Sequence, residues 1–199
     1  MEPINFFDQS VQELLDHDGI VLLQENFISN ISVDDLINEV NWRQNEIKMF
    51  GKIHLEPRFM CFQAEPGVFY SYSGIKLTPV PFSPLVLKIK NAIEKSHPYK
   101  FNSALLNYYR NGSDHMSYHA DDEKELGLNP TIASVSFGDS RKFVLKHRFD
   151  ASLEKIEINL HDKSLLIMTG ELQHYWVHKI NKKVASQLPR VNITFRTIK

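Results

Sequence analysis

A chain of 199 residues, 42% hydrophobic and 24% charged, has the length of one domain and the balance of an ordinary globular protein. Its 23 basic and 24 acidic residues leave a formal charge of −1, which excludes a chain saturated with basic groups for gripping many phosphates. No apolar run approaches the ~20 residues of a membrane-spanning helix, and the single cysteine, Cys61, excludes an intrachain disulfide or a thiolate metal cluster. The opening MEPINFFDQSVQELLDHDG is acidic and lacks the basic and apolar regions of a signal peptide. The expectation is a monomer away from membranes, cytoplasmic or, in a eukaryote, nuclear.

In chain order, Ser32-Val33-Asp34-Asp35 reads as a capping box with Asp in place of Glu or Gln, and Leu36, Ile37 and Val40 follow at helical spacing. Phe50 to Gly74 is rich in aromatics, Pro and Gly and reads as irregular strands and loops. Ser83-Pro84 starts a second helix, with Val86, Ile89 and Ile93 as its apolar stripe. Beyond residue 100 the pattern changes to short apolar or alternating runs at 101–109, 131–137, 142–147, 156–160, 163–169 and 190–196. Short strands with little helix between them predict a β sandwich or barrel. The fold class is therefore α+β, with N-terminal helices packed on a β core, most simply a jelly roll.

Chemistry enters with Tyr118-His119-Ala120-Asp121-Asp122-Glu123. Extended backbone would put His119, Asp121 and Glu123 on one face, so that an imidazole and a carboxylate reach one point. One further imidazole would complete a 2-His-1-carboxylate triad, which leaves positions on a ferrous ion for a chelating keto acid and O₂. His161, His174 and His178 are the candidates, and the latter two fall in HYWVH, whose Tyr175, Trp176 and Val177 supply apolar walls. As strand residues His174 and His178 share a face, so spacing does not choose between them.

The segment RVNITFR alternates. Val191, Ile193 and Phe195 make an apolar face, while Arg190, Asn192, Thr194 and Arg196 make the other. Two guanidinium groups turned into a β core need an anion, and arginine grips carboxylates bidentately, so a small dicarboxylate suits them. A solvated edge strand would alternate in the same way.

Taken in order, HADDE, WVH and RVNITFR resemble the AlkB family of iron(II)/2-oxoglutarate dioxygenases, which repair alkylated nucleic acid. Asn107-Tyr108-Tyr109-Arg110-Asn111-Gly112 is similar to the family's N-x-Y segment. Met49-Phe50-Gly51, Pro57-Arg58 and Phe69 to Gly74 resemble the nucleotide-recognition lid of its DNA-repair members. The similarity covers roughly residues 45–199, and several separated motifs in order are more specific than any one.

The resemblance implies a single domain over 1–199, with a lid at approximately 45–80 and a double-stranded β-helix over 100–199. It implies Fe(II) as cofactor, 2-oxoglutarate and O₂ as cosubstrates, and His119, Asp121 and His178 as metal ligands. It assigns Asn107, Tyr109, Arg190, Asn192 and Arg196 to 2-oxoglutarate, with Arg190 expected at the carboxylate near the metal and Arg196 at the far one. The implied activity is oxidative demethylation of N-alkylated bases such as 1-methyladenine and 3-methylcytosine in DNA, with release of succinate and formaldehyde. The target base must be flipped out or already single-stranded. Arg58, Tyr70 and Tyr72 are then expected at the substrate, the tyrosines as an aromatic platform. Asp122 and Glu123 would favour a cationic methylated base, and Phe50 is a candidate wedge for the duplex.

Lys179, Lys182 and Lys183, with Arg141, Lys142, Lys146 and Arg148 on the neighbouring hairpin, read either as phosphate contacts or as solvated faces. Phe149 to Glu154 is short and acidic where some duplex-repairing relatives carry a longer basic loop, which with the near-zero net charge speaks against firm duplex binding and leaves single strands, RNA or free nucleotides open beside single- or double-stranded DNA. The alternatives are a hydroxylase of a protein or small molecule built on the same core, and a metal-free or zinc-bound binding module.

Overall fold

The computed structural model describes residues 11–49, 52–72 and 75–199. The chain opens with the hairpin β1 (Val11–Leu15) and β2 (Ile20–Gln24), followed by helix α1 (Val33–Glu39). The ribbon β3 (Glu46–Met49) and β4 (Lys52–Leu55) precedes β5 (Phe59–Ala64), and a second ribbon, β6 (Tyr70–Tyr72) with β7 (Ile75–Leu77), leads to helix α2 (Pro84–Ser96). Then come β8 (Ser103–Tyr109), β9 (Met116–His119), β10 (Ile132–Gly138), β11 (Arg141–His147), β12 (Ile156–Leu160) and β13 (Leu165–Thr169). A single helical turn α3 (Leu172–Tyr175) runs straight into β14 (Trp176–Ile180), and β15 (Arg190–Arg196) follows.

The strands form a seven-stranded sheet, β1-β2-β13-β10-β15-β8-β5, and a four-stranded sheet, β12-β11-β14-β9, with neighbouring strands antiparallel throughout. Side chains from both sheets meet in one apolar cluster, which includes Leu105, Phe143, Leu145, Leu160, Met168 and Trp176. A second cluster lies on the other side of the larger sheet, where Leu36 of α1 and Val86, Ile89 and Ile93 of α2 pack on Val191, Ile193 and Phe195. This is the jelly roll with helices on its back that the alternation predicts.

Local chemistry explains the element ends. Ser32 Oγ accepts from the Asp35 N–H at 3.1 Å while Asp35 Oδ2 accepts from the Ser32 N–H at 2.8 Å, a reciprocal capping box. Gly138 closes β10 at φ +86°, where an added Cβ would stand 2.5 Å from the Pro189 carbonyl oxygen.

The expected boundaries change. β1, β2 and β5 all join the larger sheet, so the β core is not confined to 100–199, and within 45–80 only the ribbons β3–β4 and β6–β7 stand outside that sheet. β5 pairs along its whole length with β8 and buries Met60 and Phe62 in the core between the sheets, which fixes it in the body of the protein. Among the described residues no helix is long and apolar enough to cross a membrane.

Central β15 is buried on both faces, and Ile193 is fully enclosed. Ile193→Ala should lower unfolding stability in urea by about 2 to 5 kcal/mol, the usual cost of such a cavity.

Candidate active site

β9 and β14 are neighbours, and their register sets His119 opposite His178. The rings stand edge to face with centroids 4.3 Å apart, and Phe143 stacks on His178 at 5.1 Å. Asp121 follows His119 by two residues and turns inward to 1% exposure. One nitrogen or oxygen from each of His119, Asp121 and His178 lies within 4.8 Å of the others, an arrangement able to hold a metal ion.

Protonation suits that role. Ser117 O lies 2.9 Å from His119 Nδ1. Because a carbonyl only accepts, this bond puts the proton on Nδ1 and leaves Nε2 with a free lone pair. Burial, reinforced by His119, pushes His178 down to about 3, and burial likewise lowers His119. Burial disfavours the Asp121 carboxylate, but Arg196 and the two imidazoles outweigh it and hold its pKa below the usual value. Two neutral imidazoles and one carboxylate are therefore available at neutral pH.

The opposite wall is β15. Arg190, Asn192, Thr194 and Arg196 line one cavity with the His–Asp–His group, together with Asn107 and Tyr109 of β8. Arg196 donates to Asp121 Oδ1 at 2.8 Å, which puts it at the metal end. Arg190 donates to Ser136 Oγ at 2.9 Å and lies 5.1 Å over the Tyr109 ring, and its Nε and Nη1 are buried without hydrogen-bond partners. Burial lowers its pKa to about 10, with Tyr109 opposing the shift. A guanidinium so enclosed fits a carboxylate ligand, and the site passes that test on its own atoms.

The expected order of the two arginines is thus reversed. Arg196 belongs to the metal end and Arg190 to the far end, because Asp121 turns its carboxylate toward the Arg196 end of β15. Asn107 lines the cavity while its Oδ1 accepts from Arg58 Nε at 2.8 Å, leaving its NH₂ group as the donor a ligand can use. Asn192 gives its NH₂ to Ser134 Oγ and Val135 O, and its Oδ1 accepts from Thr194, so it braces the wall from within.

The substrate-side expectations divide. Arg58 is buried between Glu56, at 3.0 Å, and Asn107, so it stands behind the cavity and not at a nucleotide-facing surface. Tyr70 is also buried, its ring against Phe62 at 5.6 Å, so it is no open platform. Its hydroxyl lies beside Glu123, and burial raises the pKa of both groups. Asp122 is exposed and pairs with Arg148 at 3.1 Å. The Tyr72 side chain and the whole of Phe50 lie outside the described residues.

Among the basic candidates, Arg141 is an interior residue. It donates to the carbonyls of Asn111, Asp114 and Asn181, and the polar loop ends it ties together account for its burial. Lys142 pairs with Glu157 and Lys183 with Asp139, while Lys179 lies 4.6 Å over the Tyr118 ring. His174 falls in α3, not in a strand, and bonds Asn129, while His161 bonds Glu25 at the surface. Because His174 belongs to that helical turn and His178 to β14, the two do not share a strand face. Sequence reasoning missed Gln173, which accepts from the Asp121 N–H, and Glu56; neither belongs to a recognisable spacing.

A jelly roll with a His–Asp–His group facing a buried arginine across the gap between its sheets has the architecture of an iron(II)/2-oxoglutarate oxygenase. The family described as the 2OG-Fe(II) oxygenase superfamily matches residues 21–196. The chain is 36% identical over 158 residues to the DNA oxidative demethylase ALKBH2 of Bos taurus, covering 76% of this chain and 57% of that protein. It is 36% identical over 174 residues to the alpha-ketoglutarate-dependent dioxygenase alkB homolog 3 of Homo sapiens, covering 83% of this chain and 60% of that one. The solved structure of OsALKBH1 superposes with a TM-score of 0.61 at 17% identity over 94% of this chain and 99% of that one, a likeness of fold. The chain belongs to the AlkB family within the 2OG-Fe(II) oxygenases. It spans about three-fifths of the length of these curated relatives.

Family membership brings Fe(II) as cofactor and 2-oxoglutarate as cosubstrate, and the residues present fit both. Arg190→Met, which removes an under-partnered buried charge, should leave the melting temperature of the ligand-free protein equal or higher. The same change should weaken 2-oxoglutarate binding, measured calorimetrically, by about two orders of magnitude, from the ~3 kcal/mol that breaking a buried charge pair costs.

Proposed function

We propose that this protein is an iron(II)/2-oxoglutarate-dependent dioxygenase that oxidatively demethylates N-alkylated bases, of the 1-methyladenine and 3-methylcytosine type, in DNA. The observation that carries the reading is the pairing, in one cavity, of a neutral-imidazole and carboxylate triad with the under-partnered guanidinium of Arg190. That cavity accommodates a metal at one end and a carboxylate at the other. The DNA substrate rests on the names of relatives that are 36% identical.

His119, Asp121 and His178 would hold the iron, which when bound supplies the oxidising chemistry with O₂ and the keto acid. Arg196 keeps Asp121 ionised and oriented, and would stand at the end of the cavity where the keto acid meets the metal. Arg190 receives the far carboxylate, with Tyr109 and the Asn107 amide beside it. The apolar lining, including Leu105, Phe143, Leu160 and Met168, keeps water from the reacting end. On the substrate side Asp122, exposed and paired with Arg148, and Glu123, whose pKa burial raises, would serve as hydrogen-bond acceptors for the amino group of a base. Lys182 is exposed and would meet a phosphate along a bound strand, with the half-buried Lys179 beside it over the Tyr118 ring.

The short turn after β11, with its acidic Asp150 and Glu154, and the overall charge of −1 favour a single-stranded substrate over a duplex, and leave RNA as the second reading. The test is anaerobic reconstitution with Fe(II) and 2-oxoglutarate, then air, with methylated single-stranded, duplex and RNA oligonucleotides. Formaldehyde and succinate should appear in equal amounts, fastest on single-stranded DNA, and Asp121→Ala should abolish both. Succinate without formaldehyde on every oligonucleotide would move the substrate to another class.

A further inference from the structure

We propose that Gln173 is a positioning residue for the metal-binding carboxylate, fixing the backbone of Asp121 from the chain segment that also carries His178. This rests on the reading of Asp121 as a metal ligand.

The two histidines are held by the β9–β14 ladder. Asp121 is not, because β9 ends at His119 and residues 120–123 follow in no regular structure. Something else must hold it within the few tenths of an ångström that a metal–oxygen bond tolerates. Its N–H donates to Gln173 Oε1 at 2.9 Å, and its Oδ1 accepts from Arg196 at 2.8 Å. The first bond sets the backbone from which the side chain departs, and the second sets the rotation of the carboxylate.

Gln173 is suited to be the fixed end. It is 1% exposed and sits in α3, whose last residue precedes β14 directly. Its carbonyl accepts from Arg148 Nη1 at 3.2 Å, and the same nitrogen reaches Asp122 Oδ2 at 3.1 Å. Residues 121 and 122 are thus both tied to position 173, one through the side chain and one through the main chain. The amide nitrogen of Gln173 has only a long 4.0 Å contact to Met168 Sδ. The oxygen therefore carries the function, and glutamate, which burial would keep in its neutral acid form, retains that oxygen and should substitute for it.

The test is anaerobic titration with Co(II) alone, read by its visible absorption, on the full chain with folding monitored by circular dichroism. Gln173→Met should weaken Co(II) binding about tenfold or more and alter the bound-metal spectrum, whereas Gln173→Glu should stay within about threefold of the parent. Should Gln173→Met not fold, Gln173→Asn withdraws the acceptor by one methylene and carries the same expectation. Parental affinity and spectrum in Gln173→Met or Gln173→Asn, or a loss in Gln173→Glu as large as theirs, would overturn the proposal. Failure of the parent to bind one Co(II) in an Asp121-dependent way would instead overturn the metal site itself.

Discussion

A carboxylate and a guanidinium facing each other at 2.8 Å, both withdrawn from water, are the contact around which the interior is arranged. Asp121 stays ionised in the core because Arg196 and the imidazoles favour its charge by more than burial opposes it. Losing either partner would leave the other as an uncompensated buried charge, a far larger cost than the pair itself. The pair depends in turn on β15 being a central strand. Its ladders to β10 and β8 fix the height of Arg196 in the sheet and bring that guanidinium to the loop beyond β9.

The same strand carries a charge that the fold alone does not satisfy. Arg190 shares a face with Arg196, yet its neighbours are a tyrosine ring and a serine hydroxyl. Arg141 also lies over that ring, at 5.7 Å, and adds to the positive field. Folding tolerates this because Ser134, Asn192 and Thr194 brace the strand between the two arginines. A cavity with a satisfied cation at one end and an under-satisfied one at the other has a direction, and its unmet demand for an anion lies at the Arg190 end.

Burial serves both histidines differently from the arginines. Removing an imidazole from water favours its neutral form, which is the form a metal requires, so desolvation and function agree at His119 and His178. For Arg190 they conflict, and for Asp121 they conflict until Arg196 is in place. Asp121, the one member of the group outside a strand, is held instead by its N–H to Gln173 and by Arg196 on its carboxylate.

Much of this was legible in the sequence. The capping box at Ser32, the apolar stripe of α2, six of the strands beyond residue 100 and the two faces of 190–196 all follow from local periodicity, which depends only on residues a few positions apart. His119 and Asp121 were legible as a pair from their nearness in the chain, although β9 ends at His119 and Asp121 lies beyond the strand that alternation would have continued. What alternation states is the face a side chain occupies, not what opposes it. Spacing left His174 and His178 open and the family resemblance chose His178, whereas the strands β1, β2 and β5, the order of Arg196 and Arg190 along the cavity, and the interior partners of Arg58, Arg141 and Gln173 were decided by tertiary structure. Arg58 meets Asn107 across 49 residues and Gln173 meets Asp121 across 52, and contacts of that range are set by the register of strands distant in the chain.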